Sequence, residues 1–401
     1  MSAILTHKLN IDKTGWTLVK FDDVVAEGRE TVKDFAAEDI QHVVGLEHID
    51  TENIHLTRWD SMAESTTFTK KFKKGDVLFG RRRAYLKKAA QAPFSGICSG
   101  DITVLRAKKG LLPELLPFLV CNDKFFDYAI KHSAGGLSPR VKFKDLAHYE
   151  FLLPPRDQQA KLAELLWAMD EVVEKEVGLL KRLEASKKSV FHHSLYTRSE
   201  NFDKNFGRLK CIYEVKKLGT LLSEIQYGIS ESLEEVGDVP VLRMNNLQNG
   251  RLDINDLKYY SPKNNELEKF ILDKGDVLFN RTNSYELVGK VSIFNEEAIY
   301  SFASYLIRLK TSGNRLDSRF LNFYLNSAIG LSKIRKYRTP GVSQSNINAQ
   351  NIKSVPIPLA YIKIQKKIMD KIDNIQTNED SLISQISASQ SLQKSLINQI
   401  F

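Results

Sequence analysis

Gly75-Asp76-Val77-Leu78-Phe79 and Gly275-Asp276-Val277-Leu278-Phe279 are the same five residues, 200 positions apart in a chain of 401. A lysine precedes each block (Lys74, Lys274), and an arginine follows closely, as Gly80-Arg81 in one copy and Asn280-Arg281 in the other. Gly-Asp supplies turn chemistry and Val-Leu-Phe is short, apolar and strand-prone, so each block reads as a turn feeding a strand. A five-residue identity at mirrored places in two halves points to internal duplication. The polar residues just beyond it differ: Arg81-Arg82-Arg83-Ala84-Tyr85 against Arg281-Thr282-Asn283-Ser284-Tyr285. A shared frame that carries different polar tips suggests two readers of two different targets.

The duplication extends outward from the block. Gly15-Trp16-Thr17-Leu18-Val19-Lys20-Phe21 aligns with Ile212-Tyr213-Glu214-Val215-Lys216-Lys217-Leu218. Gly136-Leu137-Ser138 aligns with Gly341-Val342-Ser343, and Phe151-Leu152-Leu153-Pro154-Pro155 with Val355-Pro356-Ile357-Pro358. The offset drifts from 197 through 200 to about 206, as two copies with small loop insertions would show. Each copy closes on a long helical pattern. In the first, Leu162, Leu166, Met169, Val173, Val177 and Leu180 step by four and three. In the second, Ile364, Ile368, Ile372, Ile375, Leu382, Ile386, Leu396 and Ile400 do the same, with polar substitutes at Glu379, Ser389 and Gln393. A single long helix cannot bury one apolar stripe alone, and two such stripes in one chain argue for an antiparallel intramolecular coiled coil.

The fold class expected is therefore α+β, with a pseudo-twofold internal repeat. Two similar mixed domains, residues 1–153 and 213–358, are separated by two long helices, 154–197 and 359–401, with a polar linker at 198–212. Within the domains, helices are expected over Pro113–Tyr128 and Arg319–Leu331. Strands are expected at Gln41–Leu46, Ile102–Leu105, Val239–Leu247, Val291–Phe294 and Tyr305–Leu309.

Composition sets the outer bounds. A hydrophobic content of 42% is enough for packed cores. The net charge of +9 favours a polyanionic partner. It is concentrated where Lys70, Lys71, Lys73, Lys74, Arg81, Arg82, Arg83, Lys87 and Lys88 surround a lone Asp76. Three cysteines, Cys98, Cys121 and Cys211, lack metal-type spacing and suit a reducing cytosol. Met1–Asn10 offers no apolar core of signal-peptide length, and no apolar run is long enough to span a bilayer.

Catalytic motifs are missing. The sequence has no G-x-x-x-x-G-K-[ST] loop, no G-x-G-x-x-G, no G-x-S-x-G elbow and no H-E-x-x-H. The Asn-Pro-Pro-Tyr or Asp-Pro-Pro-Tyr box of amino-methyltransferases is also missing, since Leu153 and Arg156 flank Pro154-Pro155. The adjacent His192 and His193 would point in different directions on a helix. His48 and His55, with Glu47, Asp50 and Glu52, are the nearest approach to a metal or catalytic set, without ligand spacing. A chain of this length without a catalytic constellation reads as a binding or organising subunit, with no catalytic residue, no metal and no cofactor of its own.

Taken together, the duplicated Gly-Asp-Val-Leu-Phe-x-Arg block, the Gly-Trp-like opening strand and the strand-to-helix passage Leu153-Pro154-Pro155-Arg156-Asp157-Gln158-Gln159 resemble the DNA-specificity subunit of type I restriction-modification systems. The second passage, Ile357-Pro358-Leu359 to Gln365, departs from the pattern with Lys363-Ile364-Gln365. The resemblance covers essentially the whole chain and implies two target-recognition domains with a helical spacer. It also implies partners: double-stranded DNA, two methyltransferase subunits and motor-nuclease subunits, in the cytoplasm. S-adenosylmethionine, ATP and magnesium would be held by those partners. An autonomous DNA-binding regulator is the alternative.

Base edges are read by forked donors, Arg on guanine and Asn or Gln on adenine, while lysines and arginines hold phosphates. On that chemistry the candidates in the first domain are Arg81, Arg82, Arg83, Tyr85, Ser138 and Arg140. In the second they are Gln226, Tyr227, Arg243, Asn245, Asn246, Arg281, Asn283, Tyr285, Arg338, Gln344 and Asn346.

Overall fold

A computed structural model of the chain describes residues 11–33, 40–61, 67–203, 207–262, 265–284, 288–340 and 345–401. In it the duplicated block forms the turn and strand expected. Gly75 and Gly275 take φ of +90° and +91°, the left-handed region that glycine enters without a Cβ clash. The next residue ties the turn. A carboxylate oxygen of Asp76 accepts the Lys73 N–H at 2.8 Å, and one of Asp276 accepts the Asp273 N–H at 2.9 Å. Out of each turn runs a fully buried strand, Val77–Gly80 and Val277–Asn280.

Burial on both faces explains why the block is apolar at successive positions. Val77 and Phe79 point into a core with Phe21, Phe125 and Phe126, whereas Leu78 faces a second core with Val44, Phe72, Cys98 and Val104. In the other copy Val277 and Phe279 pack with Phe320 and Tyr324, and Leu278 with Leu242, Phe294 and Phe302.

Both domains use one sheet plan. In the first, a four-stranded antiparallel sheet runs Val25–Gly28, Ile102–Ala107, Val77–Gly80, Ala89–Gln91. A three-stranded sheet, Val43–Val44, Gly96–Cys98, Lys70–Phe72, has a parallel first pair. In the second, the order is Leu222–Tyr227, Leu306–Thr311, Val277–Asn280, Val291–Ile293. Its three-stranded sheet, Lys258–Tyr260, Val239–Leu242, Ser301–Phe302, again contains one parallel pair. A two-strand ribbon closes each copy: Thr17–Lys20 on Glu150–Leu153, and Glu214–Lys217 on Pro356–Leu359.

The long helices are Arg156–Leu195 and Ile362–Ile400. The chain divides into two units that cut across them: residues 1–179 with 382–401, and residues 180–381. In the first unit Leu166 shares a core with Leu396, Ile397, Ile400 and Phe401. In the second, Phe191 and Leu195 pack with Ile368, Met369 and Ile372. The helices therefore run antiparallel in both units, and each helix is divided between the two.

Polar residues inside the pairing meet each other. In the first unit Gln393 lies 3.5 Å from a carboxylate oxygen of Asp170. In the second, Lys187 donates to Gln376 at 2.7 Å and to the buried Glu379 carboxylate. Moved by the repeat offset of 206, Asp170 becomes Gln376 and Gln393 becomes Lys187. The two pairings are thus the same position with different side chains.

The offset also resolves the departure at the second strand-to-helix passage. Gln159, 2% exposed, accepts from the Leu112 N–H at 2.9 Å and donates to the Gly110 and Pro154 carbonyls. Gln365, 0% exposed, accepts from the Asp317 N–H at 2.9 Å and donates to the Arg315 and Ala360 carbonyls. The glutamine that matters is the last of Asp-Gln-Gln, and Lys363-Ile364-Gln365 keeps it.

Local detail adds to three expectations. The polar stretch 198–212, expected as a linker, carries a two-strand ribbon: Tyr196–Asp203 pairs antiparallel with Gly207–Cys211. The helix expected over Pro113–Tyr128 breaks into Leu116–Val120 and Asp123–Lys131, because the buried Asn122 side chain accepts from the Phe125 N–H and caps a new helix. The counterpart over Arg319–Leu331 breaks likewise into Ser318–Asn326 and Ala328–Arg335, capped by Ser327. Among the described residues no helix is long and apolar enough to cross a membrane.

Candidate nucleic-acid interface

Beyond each buried strand the chain leaves the sheet at an arginine, and the two copies hold that arginine by the same backbone bonds. The Arg81 N–H donates to the Asp101 carbonyl at 3.0 Å, and its carbonyl accepts the Val141 N–H at 3.0 Å. The Arg281 N–H donates to the Tyr305 carbonyl at 3.1 Å, and its carbonyl accepts the Ile347 N–H at 2.9 Å. Arg81 corresponds to Arg281, Asp101 to Tyr305 and Val141 to Ile347. In both arginines Nε is buried and has no hydrogen-bond partner among the described residues.

In the first domain the tip is a cluster of cations around one carboxylate. Arg140 Nε donates to Asp101 Oδ1 at 2.7 Å, and its Nη2 lies 3.4 Å from Oδ2. Arg82 Nη1 reaches the same Oδ2 at 3.3 Å, and its Nη2 donates to Ser138 Oγ at 3.1 Å. Arg83 Nη2 is 3.4 Å from that hydroxyl. The Arg140 guanidinium, then that of Arg82, holds the Asp101 carboxyl below its ordinary range against the opposing effect of burial. Arg83 and Lys87 bracket the short turn Ala84–Leu86 at φ of +54° and +47°. Non-glycine residues meet a steric penalty there, so the tip is held in a strained shape. Tyr85, 53% exposed, sits on that turn. Arg82, Arg83, Ser138 and Arg140 thus meet around Asp101, with Arg81 bonded to it through the backbone and Tyr85 exposed on the adjoining turn.

The second tip is built differently. The Arg281 guanidinium lies 4.9 Å from the centre of the Tyr227 ring, and Nη2 is 3.4 Å from Asn346 Oδ1. Tyr227 is anchored through its hydroxyl, which accepts the Ala349 N–H at 3.0 Å. Asn283 and Asn346 lie on paired strands, Thr282–Asn283 and Ser345–Asn346. Asn283 Nδ2 rests 3.8 Å from Met244 Sδ, beside a second group in which Arg243 and Asn245 both bind Asp256, at 3.0 and 2.9 Å. Arg338 Nε is 3.3 Å from the Arg335 carbonyl. Tyr285 and Gln344 lie outside the described residues.

Two candidates change role. Asn246 is 1% exposed, accepts from the Arg243 N–H and donates to the Asp253 and Asp256 carbonyls. It shapes the turn from inside and has no face for a base. Gln226 gives its side-chain carbonyl to Arg308, itself 5% exposed and also bonded to Glu224. That ties the carbonyl of the half-buried Gln226 to the sheet and leaves its amide nitrogen free of that bond. Sequence reasoning missed Asp101, Tyr305 and Asp256. The first two could be found only by carrying the repeat alignment to the start of the Ile102–Ala107 and Leu306–Thr311 strands.

The histidine set does not assemble. His48 Nδ1 accepts the Gly45 N–H at 2.9 Å, while His55 Nε2 lies 2.7 Å from Asp170 on the first long helix. No group of three or more His, Cys, Asp or Glu suited to a metal ion occurs among the described residues. Burial pushes the thiols of Cys98 and Cys121 up to about 12.

The family described as "Type I restriction modification DNA specificity domain" matches residues 14–185 and 205–389. The specificity subunit of the type I restriction enzyme EcoKI from Escherichia coli K12 is 21% identical over 304 residues, covering 74% of this chain and 64% of that one. The MjaVIII specificity subunit of Methanocaldococcus jannaschii is 23% identical over 367 residues, covering 86% and 77%. A second relative from that organism, whose name refers to the specificity subunit of the enzyme MjaX, is 27% identical over 212 residues. The chain spans about half of that relative's length, 49%. Among solved structures, the S subunit of a type I restriction-modification system from M. genitalium superposes with a TM-score of 0.57 over 98% of both chains at 13% identity. A chain from a study of complex assembly and conformational transition in the type I R-M system also scores 0.57, over 96% of both at 20% identity. These two share the fold, and the family match extends over most of both halves: the chain belongs to the type I restriction-modification DNA specificity family.

Proposed function

We propose that this chain is the non-catalytic DNA-reading subunit of a type I restriction-modification complex. It reads a bipartite, asymmetric duplex target, one half through each tip. It organises methyltransferase and motor-nuclease subunits that bring S-adenosylmethionine, ATP and magnesium, and it works in the cytoplasm. The observation that carries this reading is the matched pair of tips. The same backbone bonds present Arg81 and Arg281, yet the first is followed by Arg82, which joins Arg140 on a carboxylate, and the second lies on a tyrosine ring. Identical frames with unlike donors suit two unlike half-sites. Arg81, Arg82, Arg83, Ser138 and Arg140 serve the first half, with Tyr85 exposed beside them. Tyr227, Arg243, Asn245, Arg281, Asn283, Arg338 and Asn346 serve the second.

The test is to express the chain with its modification subunits and map modified bases in host DNA. A two-part target methylated only when chain and subunits are together supports the proposal. Replacing Arg81, Arg82 and Arg83 with alanine should lower the magnitude of the salt slope of binding by about 0.9 for each phosphate no longer neutralised. Tight, specific binding by the chain alone, with no methylation in any combination, would favour the autonomous regulator instead.

A further inference from the structure

Asp101 is out of place for affinity. A carboxylate bonded to Arg82 and Arg140 repels the phosphates that arginines attract, and a surface shaped only to hold DNA would do better without it. Its geometry is nevertheless specific. It grips Arg140 through two nitrogens and Arg82 through one, and Arg82 in turn spans to Ser138. The Asp101 side chain is 22% exposed and those of Arg82 and Arg140 are 38% and 43% exposed. Both guanidiniums are thus tethered and still reachable.

An arginine reads guanine only when its planar fork presents two donors at once, and a free arginine loses much of that advantage to side-chain entropy. The neighbouring backbone is also fixed, by the left-handed Arg83 and Lys87 and by the bridge between Arg82 and Arg140. The second domain reaches the same end by other means: Tyr305 stands at the Asp101 position, and Arg281 is steadied by the Tyr227 ring and Asn346.

We infer that Asp101 is a specificity-determining positioning residue: it trades affinity for a preset orientation of the Arg82 and Arg140 guanidiniums. The inference rests on the DNA-reading function proposed above and adds a residue that would not touch DNA itself. On removing the carboxylate, the loss of charge and the loss of orientation act in opposite directions. In Asp101→Asn, binding to random duplex should tighten or stay level, since one negative charge has gone. Discrimination should fall by about tenfold or more at one or two positions, guanines first, within the half-site read by the first domain. The other half-site should be read as before. Asp101→Glu keeps the charge and displaces the carboxylate by one methylene. It should leave the salt dependence unchanged and still lose discrimination at those same positions.

The experiment uses the full chain co-expressed with its modification subunits. It measures kcat/KM for methylation on the mapped target and on a set of duplexes altered at single positions, alongside binding of random duplex across a salt series. Loss confined to the first half-site in both variants supports the inference. Asp101→Asn shifting every duplex by one common factor, or Asp101→Glu discriminating like the parent, overturns it. An unaltered protein that showed no two-part target at all would refute the DNA-reading function itself, a result visible before any variant is made.

Discussion

Lys187 is the residue whose replacement should be felt most strongly by the helix pair. Its side chain is 15% exposed and its ammonium faces the carboxylate of Glu379, a side chain 3% exposed, with Gln376 at 2.7 Å as a further partner. Lys187→Gln leaves that carboxylate buried and without its counter-charge, and breaking such a pair from one side costs about 3–5 kcal/mol. The pair itself need not be stabilising, because desolvation of two ions offsets most of their attraction. The chain carries its own control for this. Displaced by 206, Lys187 corresponds to Gln393, and Glu379 corresponds to Val173, 6% exposed in the first unit. The double variant Lys187→Gln, Glu379→Val therefore brings two of the three positions to the residues the first unit uses, with Gln376 remaining where that unit has Asp170. It should recover most of the loss. For a unit of about 200 residues, 3–5 kcal/mol corresponds to a fall in melting temperature of roughly 6–20 °C. The two units can be followed separately, because all three tryptophans, Trp16, Trp59 and Trp167, lie in the first. Far-UV circular dichroism and amide exchange of residues 180–381 should move in Lys187→Gln, while tryptophan fluorescence moves less. A single variant losing under about 1 kcal/mol, or a double variant no better than the single, would refute the claim that the charges are coupled.

Three further outcomes follow from the same geometry. His55 is held above its ordinary value of 6.5, first by its hydrogen bond to Asp170 and against the pull of burial. Its contribution should be complete below about pH 6.5 and lost as pH rises through the higher folded value. Unfolding of the first unit, followed by tryptophan fluorescence from pH 6 to 9, should show that decline, and His55→Gln should flatten it. Ile400→Ala, near the end of the second long helix, should destabilise the first unit by about 2–5 kcal/mol while the second is unaffected, since Ile400 is fully buried in the first unit's core. Gln365→Ala strands the Asp317 N–H and should cost about 1–3 kcal/mol for that group alone; faster exchange of the Asp317 amide is the direct readout.

The parts legible in the sequence are those written along the chain. Gly-Asp-Val-Leu-Phe announces a turn and a strand because glycine conformation, Asp-to-backbone bonding and apolar character are local properties. The four-three stepping of Leu162 to Leu180 and of Ile364 to Ile400 likewise announces two long helices, and the duplication pairs each domain with its twin. Even the polar interruptions Glu379 and Gln393 are visible as interruptions. What meets them is not.

Tertiary structure alone decided that Glu379 faces Lys187 and Gln393 faces Asp170, that Asn246 turns inward beneath Arg243, and that Gln226 serves Arg308. It also placed Asp101 against two arginines that lie 19 and 39 residues away in sequence. The physical reason is the reach of each effect. Backbone preference and amphipathic periodicity act over a few residues, and every copy of the pattern repeats them. A charged or amide side chain is defined by its partner, and its partner is chosen by the packing of strands and loops distant in sequence. Arg81 and Arg281 could therefore be named as equivalents from the sequence, but only the folded chain shows one beside a pair of arginines joined on a carboxylate and the other resting on a ring.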